Sequence, residues 1–242
     1  LFSYIPNEVI TSLSTLTSTD YGCDGCSIPH QYFVDGAPRS GDAYFNGNWH
    51  SVLIGTLGAG GKGLFALDVS DPSNFVETDV LWEISSTQAP GGNSDTTDFA
   101  ANLGYTLPQG SVVKLHNGDW AAVVANGYES TSGNAMLYLI DIETGSIIKS
   151  FDTKTANNGL STPIAVDEDG DHITDVIYAG DLLGNLWKFD ISGSNSNQWK
   201  IAFGNNANPK PLFQAVDGSS ASQPITAKPQ VGKHPDGGLM VY

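Results

Sequence analysis

Residues 167–175 read Asp-Glu-Asp-Gly-Asp-His-Ile-Thr-Asp, which sets carboxylates at Asp167, Asp169, Asp171 and Asp175. Counted from Asp167 these are positions 1, 3, 5 and 9, and in a tight loop side chains at that spacing converge on one point. The main-chain carbonyl of Ile173, at position 7, completes the ring. An all-oxygen shell of roughly six to eight ligands is what a hard cation such as Ca²⁺ takes. The loop differs from the helix–loop–helix calcium hand, because position 12 is Tyr178 where that motif carries a bidentate glutamate. Here Asp175 closes the site directly, between two strands. His172 stands at position 6, where glycine usually makes the bend; histidine tolerates positive φ better than most residues, so a costlier turn is expected and not a lost site. Four carboxylates this close repel one another, so without a cation they work against the turn. A solvated acidic turn is therefore the weaker reading.

Other patterns carry less chemistry. Gly58-Ala-Gly-Gly-Lys-Gly63 matches the dinucleotide fingerprint G-x-G-x-x-G, with Glu83 downstream as the ribose acid. That motif needs a helix after the glycines, but the next residues, Leu64-Phe-Ala-Leu-Asp-Val, form a strand sequence. The only cysteines, Cys23 and Cys26, form a lone C-x-x-C. Zinc would require a second cysteine pair or a histidine pair, and a redox centre a helix N-terminus, whereas this segment is turn-like. A short structural disulfide in an oxidising compartment fits best. His30, His50, His116 and His234 are scattered singly and read as turn or core residues. Asp95 and Asp98 read as solvated, and no Ser-His-Asp spacing or nucleophile elbow is present. The tryptophans at 49, 82, 120, 187 and 199 fall at strand positions and read as packing residues.

The elements that must hold the acidic loop come from a repeat. Leu64-Phe-Ala-Leu-Asp-Val, Leu137-Tyr-Leu-Ile-Asp-Ile and Leu186-Trp-Lys-Phe-Asp-Ile share one pattern: Leu, aromatic, two residues, Asp, β-branched residue. Each follows a Gly/Asn-rich connection, which in turn follows a hydrophobic run. Turns at Asn46-Gly47, Asn117-Gly118 and Asp236-Gly237 precede three of those runs, and the acidic loop precedes the fourth. A fourth strand-like piece closes each unit. Four antiparallel strands in roughly 50 residues are the blade of a β-propeller. The chain is therefore expected to be all-β, a partial propeller over 1–242. Its units fall at about 42–86, 104–155 and 161–203, with the start of another at 225–242. Residues 1–6 read as the last strand of an earlier blade, and 7–40 and 87–103 as inter-blade insertions. The other units are expected to use two-residue turns where the third has its acidic loop.

Composition narrows the partners. The net charge is −16, with 26 acidic against 10 basic residues, and Arg39 is the only arginine. Nucleic-acid binding needs clustered cations, so that class is excluded. No stretch reaches the roughly 18 to 20 apolar residues of a membrane-spanning helix. The sequence opens on Leu1 without a signal peptide, which is expected of a processed or excised piece of something longer.

The segments 32–72 and 167–192 resemble the signature and the calcium-loop blade of the PilC/PilY family of type IV pilus tip-associated proteins. The resemblance runs over most of the chain. It implies a C-terminal β-propeller of about seven blades, of which this chain would be a fragment, in a large exported protein at the cell surface, one that promotes pilus assembly, opposes retraction in a calcium-dependent way and supports twitching motility and adhesion. It implies pilin or minor pilins as partners, with host or abiotic surfaces as further ones. It also carries calcium ligation over to Asp167, Asp169, Asp171, the Ile173 carbonyl and Asp175. The Cys23–Cys26 pair is not part of the family pattern. Two rivals stand beside it. A quinoprotein dehydrogenase propeller would carry tryptophan docking motifs around every blade and usually an adjacent cysteine pair. An integrin-like binding propeller would show the acidic loop in several consecutive blades.

Overall fold

The computed structural model describes residues 2–87 and 96–242. Three antiparallel meanders follow one another along the chain. The first blade is β1 (Arg39–Phe45), β2 (Asn48–Thr56), β3 (Gly63–Asp68) and β4 (Val80–Ser85). The second is β5 (Ser111–Lys114), β6 (Trp120–Ala125), β7 (Met136–Asp141) and β8 (Ile147–Asp152). The third is β9 (Ile164–Val166), β10 (Val176–Gly180), β11 (Asn185–Asp190) and β12 (Lys200–Ile201). These are the blades expected from the repeat, and the fold is a β-propeller.

The period of two along each strand explains the packing. In β6, Ala122 and Val124 face the first blade, where they meet Ala43, Val52 and Ile54. The alternate residues Ala121, Val123 and Ala125 face the third, against Ile177, Ala179 and Trp187. Leu137 and Leu139 of β7 face the third blade, and Met136, Tyr138 and Ile140 the first. A strand covered on both sides reads as an unbroken apolar run, which is why Trp-Ala-Ala-Val-Val-Ala shows no alternation in sequence.

The repeated aspartate has a local reason. Asp68, Asp141 and Asp190 end the third strand of each blade and turn back on the following backbone. Asp68 Oδ1 accepts Ser70 N–H at 3.0 Å, Asp141 Oδ1 accepts Thr144 N–H at 2.7 Å and Asp190 Oδ1 accepts Ser192 N–H at 3.2 Å. Each is a side-chain cap that starts the turn to the fourth strand.

Four expectations change. Residues 2–6 form no strand. Phe2 stacks on Phe75 at 3.9 Å, the Tyr4 ring lies 4.9 Å from Phe65, and the Tyr4 hydroxyl donates to Glu83. With α1 (Asn7–Ile10) and Phe33, this segment covers the outward face of the first blade through side chains, not through a backbone ladder. Glu83 is thus an anchor for the segment, not a ribose acid. Of the three Asn-Gly and Asp-Gly turns, Asn46-Gly47 alone has two residues, with φ of 50° and 79°. At Asn117-Gly118 and Asp236-Gly237 the loop has an extra residue, closed by Leu115 with Asp119 and by His234 with Gly238, so only the glycines take positive φ. The outer strand of the third blade is split: β12 pairs one end of β11 and β15 (Phe213–Gln214) the other. Between them projects a hairpin, β13 (Phe203–Asn205) with β14 (Asn208–Lys210). Finally, α2 (Thr96–Asn102) brings Phe99, followed by Leu103, into the core between the first two blades. The last unit consists of the hairpin β16 (Val231–Lys233) and β17 (Leu239–Val241).

The G-x-G-x-x-G segment is the β2–β3 hairpin, as expected. Its glycines admit another part of the chain. A Cβ at Gly60 would lie 2.0 Å from the Phe33 carbonyl, and Gly58 has φ of 61° with Asp35 against it. Asp35 Oδ1 accepts Ala59 N–H at 2.7 Å, so a protein carboxylate sits where the fingerprint would hold a phosphate.

At the opposite end from the acidic loop, Asp181 is fully buried and accepts five hydrogen bonds: Leu183 N, Asn185 N, Asn158 Nδ2, Asn185 Nδ2 and Trp187 Nε1, at 2.7 to 2.9 Å. Its own carbonyl accepts Ile225 N–H at 2.9 Å, from the connector to the final hairpin. The group joins the connector from the second blade, the third blade's hairpin and the core indole. Replacing it by alanine strands several buried donors at once. Asp181→Ala should therefore cost about 3 to 5 kcal/mol. The exposed Asp24→Ala should change stability by less than about 0.5 kcal/mol. Urea unfolding of both variants checks this, and an Asp181→Ala loss under about 1 kcal/mol would contradict the hub.

Candidate metal centre

The acidic loop joins β9 to β10 and lies at the end of the propeller that carries the first-to-second and third-to-fourth strand turns. Its neck is a β pair, closed by Asp175 N–H to the Val166 carbonyl at 3.0 Å. Above that neck the chain must reverse within a few residues, and Gly170 (φ 93°) and His172 (φ 70°) supply the left-handed conformations. His172 takes the bend as its residue type allows.

The structure gathers three of the four aspartates. One oxygen from each of Asp167, Asp169 and Asp175 lies within 4.8 Å of the others. Asp171 is exposed and stands outside that group; its Oδ1 accepts Ile173 N–H at 2.8 Å and shapes the loop. Asp167 does most to wind the turn, accepting Gly170 N–H at 2.6 Å and His172 N–H at 2.7 Å. The Gly170 N–H, ahead of those of His172 and Asp171, holds its carboxyl below the usual carboxylate range. Asp169 is exposed and accepts Asp171 N–H at 3.1 Å. The donor set is carboxylate oxygen throughout, which suits a hard divalent cation and not zinc or copper. A cleft of about 350 Å³, walled by Glu168, Asp169, Asp175, Lys188, Asp190 and Phe203, opens the cluster to solvent.

Asp175 differs from the others. It is only 8% exposed, and both its oxygens are engaged: Oδ2 accepts Glu168 N–H at 2.7 Å, and Oδ1 lies 2.8 Å from His116 Nε2. His116 belongs to the β5–β6 turn of the second blade. Beside it, Thr174 N–H donates to the Lys114 carbonyl at 3.0 Å. The loop is therefore tied across the blade interface by one side-chain and one main-chain contact.

Sequence reasoning missed His116, reading it as a lone turn residue. The signal was its place in the second blade's turn, which stands on the same end of the propeller as the acidic loop of the third. His50 lies 2.6 Å from Asp68 and stacks on Phe45, and His234 sits in a turn, as expected. His30 is neither in a turn nor in the core: it is exposed, edge-on to Tyr32. Cys23 and Cys26 face each other across a short loop, with Cα atoms 5.2 Å apart, within the span a disulfide bridges. Asp95 and the Asp98 side chain lie outside the described residues.

Comparison with known proteins agrees with this architecture. The family described as the PilY1 beta-propeller domain matches residues 2–242. The type IV pilus biogenesis factor PilY1 of Pseudomonas aeruginosa is 42% identical over 253 residues, which cover 97% of this chain and 20% of that protein. A PilY1 homolog of Xylella fastidiosa is 40% identical over 254 residues, covering 100% of this chain and 16% of the relative. The chain thus spans a fifth or less of the relatives it matches. The crystal structure of the Pseudomonas aeruginosa PilY1 C-terminal domain superposes with a TM-score of 0.74 at 42% identity, covering 88% of this chain and 44% of that one. Among the described residues, no helix is long and apolar enough to cross a membrane. By its sequence, its blades and its likeness to a solved relative, the chain belongs to the PilY1 β-propeller family, whose matched members are type IV pilus biogenesis factors.

Proposed function

We propose that this chain is a calcium-binding propeller segment of a type IV pilus biogenesis factor, acting by binding and not by catalysis. The observation that carries the reading is the gathering of Asp167, Asp169 and Asp175 in one strand-to-strand loop of a PilY1-family propeller. Asp167, Asp169, Asp171, the Ile173 carbonyl and Asp175 would hold the ion. Calcium would supply charge neutralisation for carboxylates that otherwise repel. The residues themselves wind the loop and, through Asp175 and Thr174, seat it against the second blade. In the whole protein this propeller would promote pilus assembly, oppose retraction while calcium-loaded, and support twitching motility and adhesion. Its partners would be pilin or minor pilins, and host or abiotic surfaces. The protein would be exported through the periplasm and act at the cell surface. The ring would be open in this chain and completed by further blades, a reading supported by the 44% share of the solved relative that it matches.

If the dissociation constant is about 10 μM, 1 mM Ca²⁺ stabilises the fold by about 2.7 kcal/mol through mass action. For a chain of this size that corresponds to roughly 5 to 10 °C in Tm. Thermal melts with calcium and with chelator measure it. Asp169→Asn is the cleanest variant, because Asp169 is exposed and holds only one loop contact; it should erase most of the calcium shift and leave the chelated midpoint nearly unchanged. Asp175→Ala should erase the shift and also lower the chelated midpoint, since His116 and Glu168 N–H lose their acceptor. Equal wild-type midpoints with and without calcium would reduce the loop to an acidic turn.

Native material should carry Cys23 and Cys26 oxidised, as export through an oxidising compartment requires. Alkylation without reductant followed by intact-mass measurement should show no added label. Two labels would contradict this.

A further inference from the structure

The tryptophans do not all pack as blade residues. Trp82, Trp187 and Trp199 are buried and Trp120 is half-buried, whereas Trp49 leaves 64% of its surface exposed. Trp49 is the second residue of β2, one place beyond Asn48 and the Asn46-Gly47 turn, and its cross-strand partner is Tyr44, itself 47% exposed. The Trp49 ring lies 5.6 Å from Tyr44 and 5.5 Å from Trp120 of the second blade. Three rings therefore form one cluster across the first blade interface, on the same end of the propeller as the acidic loop.

The surroundings of this cluster are acidic. Asp42 stands two residues before Tyr44, on the same face of β1, and is exposed. Asp119 precedes Trp120 and is exposed. Glu143, from the third-to-fourth strand turn of the second blade, accepts Asn46 Nδ2 at 2.7 Å and so rims the first blade's turn. Lys114 stands opposite Trp120 in the β5–β6 ladder. The excess of carboxylates over this ammonium follows the imbalance of the whole chain, which carries −16.

We propose that the Tyr44–Trp49–Trp120 cluster is a docking surface for a lysine- or arginine-bearing segment of a protein partner. Ring faces attract such cations, the long alkyl stems of Lys and Arg cover apolar surface, and Asp42, Asp119 and Glu143 complement the charge. A neutral sugar would use the rings and donate hydroxyl hydrogen bonds to single carboxylates, but it neutralises none of their charge, so the acidic rim favours the cationic segment.

The test needs no calcium and is run in chelator, which keeps it separate from the metal reading. The 242-residue chain is titrated with a lysine–glycine dodecapeptide at low salt and binding is followed calorimetrically. Trp49→Ala should weaken binding about fivefold to tenfold, and Trp49→Phe by less. Asp119→Asn/Glu143→Gln should weaken it several-fold. Asp24→Asn/Glu129→Gln removes the same charge from exposed positions elsewhere and should change it less than about twofold. Thermal melts verify that each variant folds. Equal affinity for Trp49→Ala and wild type would overturn the proposal, because the peptide would then follow net charge alone. An equal loss in the two double variants would overturn it for the same reason. So would Trp49-dependent binding of cellohexaose by a chain that leaves the lysine peptide unbound.

Discussion

The central strands of the first two blades are covered on both faces. The central strands of the second blade bury residues of both parities, so a blade alone would leave a full apolar face in water. At roughly 1.5 to 3 kcal/mol for each fully buried large aliphatic side chain, those faces outweigh the turn caps, which contribute about 1 kcal/mol each. That demand sets the remaining architecture. Blades stack in sequence, turns gather at one end and connectors at the other. The first blade recruits the segment from Phe2 to Phe33 to cover the face that no described blade meets. The buried Asp181 belongs to the same logic: a connector driven between two covered faces needs its polar groups satisfied locally, and one carboxylate serves five of them.

The acidic loop is the exception to this economy of burial. It brings like charges together in one short turn, where Asp167 and Asp169 have only loop amides as partners while Asp175 is buried against His116. Its geometry is nonetheless fixed from below, because Asp167 binds two loop amides and Asp175 is held from the neighbouring blade. The site is thus part of an interface, and a change in the loop is felt first by the second blade's turn.

The repeat, the strand order and the acidic spacing could be read from residues because each has a strictly local cause. A turn glycine, a capping aspartate and a period-two apolar run all act within a few positions of the chain. The features that could not be read depend on distant partners. Residues 2–6 have the pattern of a strand, yet nothing local says that Phe2 and Tyr4 will meet Phe75 and Phe65 instead of a neighbouring backbone. The split outer strand of the third blade is invisible for the same reason: its two halves are short, and only their common partner β11 makes them one edge. Within the site, the spacing that puts Asp171 in the ring says nothing of the second task its carboxylate has, since Oδ1 also accepts Ile173 N–H and helps to shape the loop. His116 is the converse case, a residue that looks isolated until the blades are stacked.

The covering of the first blade by rings and not by a ladder bears on how this region would register in hydrogen exchange. Protection of an amide reports its own hydrogen bond, and Phe2 and Tyr4 are held through their side chains. Their amides should exchange as freely as those of a loose terminus while their aromatic rings stay immobile against β3 and the turn beyond it. Backbone and side-chain probes would then report opposite degrees of order for the same stretch, and both would be correct.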